Sequence, residues 1–168
     1  DTQPPSLTIT NPKVDSIIRD KFYISGTWAD DGSISSVKAT LSRTDGKGKP
    51  VEIVGSFTQN ERQGGNWQVL VDYQEKKLLD GTYLASIAIK DKSNRITTQN
   101  TTFTIDNTAP VLVLSRPSIK DGQSGFDSYG RSFTLEGKAA DDNDVSHIEV
   151  NIYENADRIY EEICAEYG

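Results

Sequence analysis

From its amino end the chain alternates apolar and polar side chains. Leu7 and Ile9 are separated by Thr8, and Phe22, Ile24, Gly26 and Trp28 alternate with Tyr23, Ser25 and Thr27. A period of two sends successive side chains to opposite faces of an extended chain, so each such stretch predicts a strand with one face against a core. The alternation returns at Val37, Ala39 and Leu41, at Val51 and Ile53, and at Trp67, Val69 and Val71. It returns again at Tyr83, Ala85, Ile87 and Ile89, and at Phe103 and Ile105. Between these runs lie Asp30-Asp31-Gly32, Asp45-Gly46-Lys47-Gly48, Gly64-Gly65-Asn66, Asp80-Gly81 and Lys92-Ser93-Asn94. Such residues favour tight or left-handed turns. Strands are therefore predicted over 6–11, 21–28, 35–43, 50–57, 66–73, 82–90 and 96–105. Seven short strands without a helical period predict two packed antiparallel sheets, an all-β antiparallel β-sandwich. Tyr83, at the start of the sixth strand, either closes a tyrosine corner by bonding back to the upstream backbone or stands as an ordinary half-exposed strand residue.

The pattern then starts again. Asp1-Thr2-Gln3-Pro4-Pro5-Ser6-Leu7-Thr8-Ile9 matches Asp106-Asn107-Thr108-Ala109-Pro110-Val111-Leu112-Val113-Leu114 at an offset of 105. Phe22–Asp31 matches Phe133–Asp142 at an offset of 111, so the second copy carries six extra residues in its first loop. At that same offset Ile34–Leu41 matches Val145–Ile152, apolar position on apolar position. An internal repeat of this kind divides the chain into a complete sandwich over 1–105 and the start of a second over 106–168. The second copy supplies three strands and a tail. Residues 156–167 read either as a short helix with Ile159 and Ile163 on one face or as a strand after a turn at Asn155-Ala156-Asp157, and propensity leans towards helix. Half a sandwich would leave its inward face open to water. The chain is accordingly expected to be cut from a longer protein; completion by a strand of another chain, or a small domain built round the tail, would also close that face.

Composition removes several classes of function. With 18 Lys+Arg against 25 Asp+Glu the net charge is −7, which leaves no basic stripe for a nucleic-acid backbone or an anionic membrane surface. The longest apolar run, Val111-Leu112-Val113-Leu114, is far short of the roughly 20 residues that span a bilayer. One Cys (Cys164) and one His (His147) exclude an intramolecular disulfide and a histidine-rich metal site. There is no Met, and the chain opens on Asp1, as a segment or processed product would.

The Asp-(Asn/Thr)-x-x-Pro opening of each unit, Gly26-Thr27-Trp28-Ala29-Asp30-Asp31, Asp80-Gly81-Thr82-Tyr83 and Lys90-Asp91-Lys92-Ser93-Asn94 together resemble the tandem bacterial immunoglobulin-like (Big-type) domains of large exported surface proteins and adhesins. The likeness covers 1–105 and the second unit to about 154, and it implies that the all-β sandwich is an immunoglobulin-like antiparallel β-sandwich followed by a partial second copy. That family typically reads Asp-x-Ala-Gly-Asn between its last two strands, where this chain has Asp91-Lys92-Ser93-Asn94. The resemblance implies an extracellular, cell-surface or periplasmic location. It also implies neighbours of the same kind and a protein or glycan ligand.

Acidic side chains concentrate where unit meets unit. In such a sandwich the start of the first strand and the loop between the second and third share one end, which would bring Asp106 and Asn107 towards Asp141, Asp142 and Asp144. Ca²⁺ takes six to eight oxygen ligands, and a cation there would stiffen the junction. Asp and Asn are equally favoured in turns for backbone reasons alone. Interdomain calcium is a habit of the resembling family. The first unit carries a poorer equivalent in Asp1, Asp30 and Asp31. A glycosidase pair needs two carboxylates across a cleft lined by aromatics, whereas the acids here sit in turns and Trp28 and Trp67 in strand patterns. His147 alternates against Ile148 and Val150 and is expected to face solvent.

The expected function is that of a non-enzymatic structural or binding module, a stalk or adhesion repeat. Two other readings are an accessory module of a secreted polysaccharide-active enzyme, binding glycan through Tyr23 or Trp28, and an assembly component completed by a partner strand.

Overall fold

A computed structural model describes residues 3–59, 64–116, 134–143, 145–154 and 157–166, and every described regular element is a strand. The chain divides into two units, Asp1–Asn107 and Thr108–Gly168.

The first unit contains β1 (Ser6–Asn11), β2 (Ser16–Ile18), β3 (Phe22–Ala29), β4 (Ile34–Arg43), β5 (Val51–Val54), β6 (Ser56–Phe57), β7 (Gly64–Val71), β8 (Gly81–Asp91) and β9 (Ile96–Ile105). One sheet has the order β1-β3-β7-β6 and the other β2-β9-β8-β4-β5. This is the immunoglobulin arrangement of facing sheets. Leu7, Ile24, Trp28, Trp67, Val69 and Val71 from the first sheet meet Val37, Ala39, Leu41, Ile87, Ile89 and Phe103 from the second, all buried. Phe103 lies between Phe22, edge-on at 5.0 Å, and Tyr83, stacked at 6.1 Å. These rings fix how the sheets sit face to face.

Most of the expected strands are present, with three differences in this unit. The predicted strand over 50–57 is two strands in different sheets. Gly55 carries the crossing: its N–H donates to the Val37 carbonyl at 2.9 Å, and a Cβ there would lie 2.6 Å from the Gln68 oxygen. The fifth predicted strand begins two residues earlier, at Gly64. Finally, Ser16–Ile18 forms a short strand parallel to the end of β9, paired as Ser16↔Phe103, Ile17↔Thr104 and Ile18↔Ile105.

The second unit contains β10 (Val111–Arg116), β11 (Glu136–Ala140), β12 (His147–Glu154) and β13 (Asp157–Glu166). Its internal register repeats that of the first. Ser6↔Ala29, Leu7↔Trp28, Thr8↔Thr27 and Ile9↔Gly26 recur as Val111↔Ala140, Leu112↔Ala139, Val113↔Lys138 and Leu114↔Gly137. The irregularity before Asn11↔Ser25 recurs before Arg116↔Glu136. Register and bulge therefore obey the same offsets of 105 and 111 as the sequence. β12 corresponds to residues 36–43 of β4. The tail is a strand and not the helix that propensity favoured: β13 pairs antiparallel with β12 from Glu154↔Asp157 to His147↔Glu166. It follows β12 in the chain as β5 follows β4, and cross-strand pairing outweighs a weak local preference. The six extra residues of the first loop lie outside the described residues.

Candidate functional site

The first unit ends in a polar network. The chain enters beside the loop after β3, since Ser6 pairs with Ala29, and leaves beside the start of β8, since Ile105 pairs with Gly81. Ile34↔Asp91 and Arg43↔Tyr83 show that these are opposite ends of one sandwich. At the exit, Asp106 is buried and its N–H donates to the Ile18 carbonyl at 3.1 Å. Asn107 donates its backbone N–H to Asp80 Oδ2 at 3.1 Å and its Nδ2 to Asp80 Oδ1 at 3.3 Å, and its own Oδ1 accepts the Asp20 N–H at 3.2 Å. Arg43 donates to the Asp80 carbonyl at 2.7 Å and forks onto both carboxylate oxygens of Asp45 at 3.0 and 2.7 Å. That fork, with the Lys47 N–H, holds the Asp45 carboxyl well below the usual carboxylate range.

This network pins the first unit two residues past its last strand. The expected cation ligands divide accordingly: Asp106 and Asn107 belong to the first unit, Asp141 and Asp142 to the second. Asp144, like Asp1, lies outside the described residues. Asp141 Oδ1 accepts the Asn143 N–H at 2.9 Å, as Asp30 Oδ2 accepts the Gly32 N–H at 3.2 Å, so both repeats of the Asp-Asp motif build the same Asx turn. Asp142 is exposed. Among the described residues no group of three His, Cys, Asp or Glu side chains is placed to hold a metal ion.

Asp91 closes the entry end. It is fully buried and accepts from the Arg95 N–H at 2.9 Å and from Arg95 Nε at 3.0 Å. Burial alone would raise its pKa; the Arg95 N–H, the Arg95 guanidinium and the Ser93 N–H outweigh burial and lower it. Nearby, Thr97 Oγ1 donates to the Pro5 carbonyl and ties the incoming chain to the start of β9.

Trp28 and Trp67 are core residues, 3% and 1% exposed, which removes Trp28 from any glycan-stacking role and leaves Tyr23 at 46%. Trp67 Nε1 donates to the carbonyls of Thr8 and Thr27, both at 3.2 Å. His147 is exposed, as its alternation predicts, with Nδ1 3.0 Å from Ser146 Oγ. A shallow depression between β6 and β7 is lined by Phe57, Thr58, Asn66 and Gln68 against the Trp67 ring, and carries no carboxylate.

One feature escaped sequence reading. It is the parallel patch between β2 and β9, extended by the Asp15 N–H donating to the Thr102 carbonyl at 2.9 Å and by Thr102 Oγ1 donating to Asp15 Oδ1. Three residues of alternation are too few to mark such a strand. The sheet of β10 and β11 is as the repeat predicts, and its inward face is open, as half a sandwich would leave it. Leu112 and Leu135, the equivalents of buried Leu7 and Ile24, are 64% and 39% exposed.

No protein-family model and no curated protein matches the chain. Among solved structures it is similar to CopC from Methylosinus trichosporium OB3b, at 12% identity over 58% of this chain and 91% of that one, with a TM-score of 0.37. It is also similar to PcoC, a methionine-rich copper resistance protein from Escherichia coli, at 15% identity over 62% of this chain and 100% of that one, with a TM-score of 0.35.

Proposed function

We propose that the chain is a non-enzymatic spacer and binding module, built from immunoglobulin-like repeats of an exported bacterial protein and located outside the cytoplasm. The observation that carries this reading is the parallel pairing of β2 with β9. Tension applied through entry and exit pulls β2 and β9 in opposite directions along their length. The bonds between them are loaded together in shear and must yield together, whereas a pair peeled from one end yields one bond at a time. Entry and exit at opposite ends of the first unit put the load along its strands. Adhesion belongs to the whole array, with a protein or glycan ligand taken by loops and sheet edges.

Single-molecule extension of the chain tethered at its two ends tests this. The first unit is expected to yield in one step that releases on the order of 300 Å of chain. Gradual extension without a force peak would overturn the spacer role.

A further inference from the structure

The outward face of the β1-β3-β7-β6 sheet is free of charge at its centre. Across β3 and β7, Tyr23 pairs with Leu70, Ser25 with Gln68 and Thr27 with Asn66, and Thr8 and Ser56 extend two of these rows onto β1 and β6. Charged residues make up 26% of the chain, so eight such positions would carry about two on average, and these carry none. The outward face of the other sheet does carry them, as Lys38 bonded to Glu52 at 2.7 Å. Hydroxyls on that other face are also spent on one another: Thr82 and Thr104 bond at 2.9 Å, and Thr102 bonds Asp15. On the β3–β7 face the opposite holds. Among the described residues, the side chains of Tyr23, Ser25, Thr27, Asn66 and Gln68 make no hydrogen bond within the chain. Ile24, Trp67 and Val69 alternate with them and are buried, so the core fixes their spacing at about 4.8 Å between strands and about 6.7 Å along them. The shallow depression between β6 and β7 opens beside Asn66 and Gln68.

We propose that this face binds a neutral polysaccharide, which names the ligand class of the binding-module reading above and rests on that reading. A sugar ring has an apolar C–H face and a rim of hydroxyls. Tyr23 and Leu70, 46% and 37% exposed, offer an apolar floor for one ring. The amides of Asn66 and Gln68 both donate and accept, and with the hydroxyls of Ser25 and Thr27 they meet the hydroxyls of the rings that follow along β3 and β7. Groups already unspent and held in place bind without first breaking internal bonds or losing much freedom. Charge selects between occupants. A polyanion would find no cation on this face and a net charge of −7 on the chain. A protein partner is a poorer occupant, because such interfaces rest on clustered aromatic and Arg anchors and this face has one aromatic and no Arg.

The test is affinity electrophoresis of the full chain in gels cast with hydroxyethyl cellulose, galactomannan, glucomannan or dextran, with alginate as the polyanion. Retardation is expected in at least one neutral gel and not in alginate. In that gel Tyr23→Ala is expected to weaken binding about tenfold or more. Gln68→Glu, which keeps the size of the side chain and places a charge on the face, should weaken it as well. Both variants should keep the near-ultraviolet circular dichroism of the parent, and Thr40→Ala, on the outward face of the other sheet, should bind as the parent does. No retardation in any of the four neutral gels, equal retardation of Tyr23→Ala, or equal retardation in alginate would each overturn the proposal. A doubled solution mass that Tyr23→Ala abolishes would also overturn it, by giving the face to a second copy of the chain. None of these outcomes bears on the force peak of the first unit, so the polysaccharide face and the spacer role fail separately.

Discussion

The hydroxyl of Tyr83 donates to the carbonyl oxygen of Leu79 at 2.8 Å. This is a tyrosine corner, closed across four residues at the start of β8, and Tyr83 itself is 3% exposed. Tyr83→Phe keeps the stack on Phe103 and removes only the hydroxyl, leaving the Leu79 carbonyl without that donor. The expected loss is about 1–2 kcal/mol in urea unfolding. A change indistinguishable from zero would make the bond incidental.

Asp91 predicts the acid limb of the stability curve. Its carboxyl has a folded pKa below the ordinary value, so the stability it contributes is present above the unfolded pKa of about 3.9 and is lost as pH falls through the folded value. Urea midpoints measured from pH 7 downward should fall below about pH 4. Asp91→Asn should lower the midpoint at neutral pH and flatten that fall. An Asn variant with the same acid slope as the parent would assign the slope to other carboxylates.

Gly26 has no room for a methyl group. A Cβ 1.8 Å from the Thr8 oxygen forces β1 away from β3 and displaces the Trp67 ring that covers both. Gly26→Ala is expected to cost more than about 3 kcal/mol, or to prevent folding of the first unit, as read by near-ultraviolet circular dichroism of the buried Trp residues. Native-like spectra with a small loss of stability would contradict the tight approach.

Much of the fold is legible in the sequence because period-two alternation reports burial directly. The repeat is legible because offsets of 105 and 111 survive as register pairs in the structure, as Leu7↔Trp28 and Leu112↔Ala139 show. What escaped depends on partners distant in sequence. Ser16-Ile17-Ile18 is a strand only because β9 runs alongside it. Gly55 separates two strands only because its backbone bonds across to Val37. Ile159 and Ile163 suggested a helix face until β12 supplied a neighbour. The sequence shows the oxygen-bearing side chains of Asp106, Asn107, Asp141 and Asp142 without showing that Asn107 and Asp141 already accept N–H donors of their own units.

That engagement sets the expectation for calcium. Asn107 bonds to Asp20 and Asp80 through its side chain, so the first unit can close its exit without a cation. Its melting midpoint is expected to agree within about 1 °C with and without a chelator. A rise of several degrees on adding Ca²⁺ would support the cation site expected at Asp106, Asn107, Asp141, Asp142 and Asp144.

The spacer account turns on the β2–β9 pair. Ile17 is exposed and pairs with Thr104 in the middle of that patch, so Ile17→Pro removes one backbone donor from β2 with little change to the core. Extension of parent and variant between the same two ends is the most direct measurement. The account predicts a much lower unfolding force for the variant alongside a modest shift of its urea midpoint. Equal forces for the two proteins would contradict it.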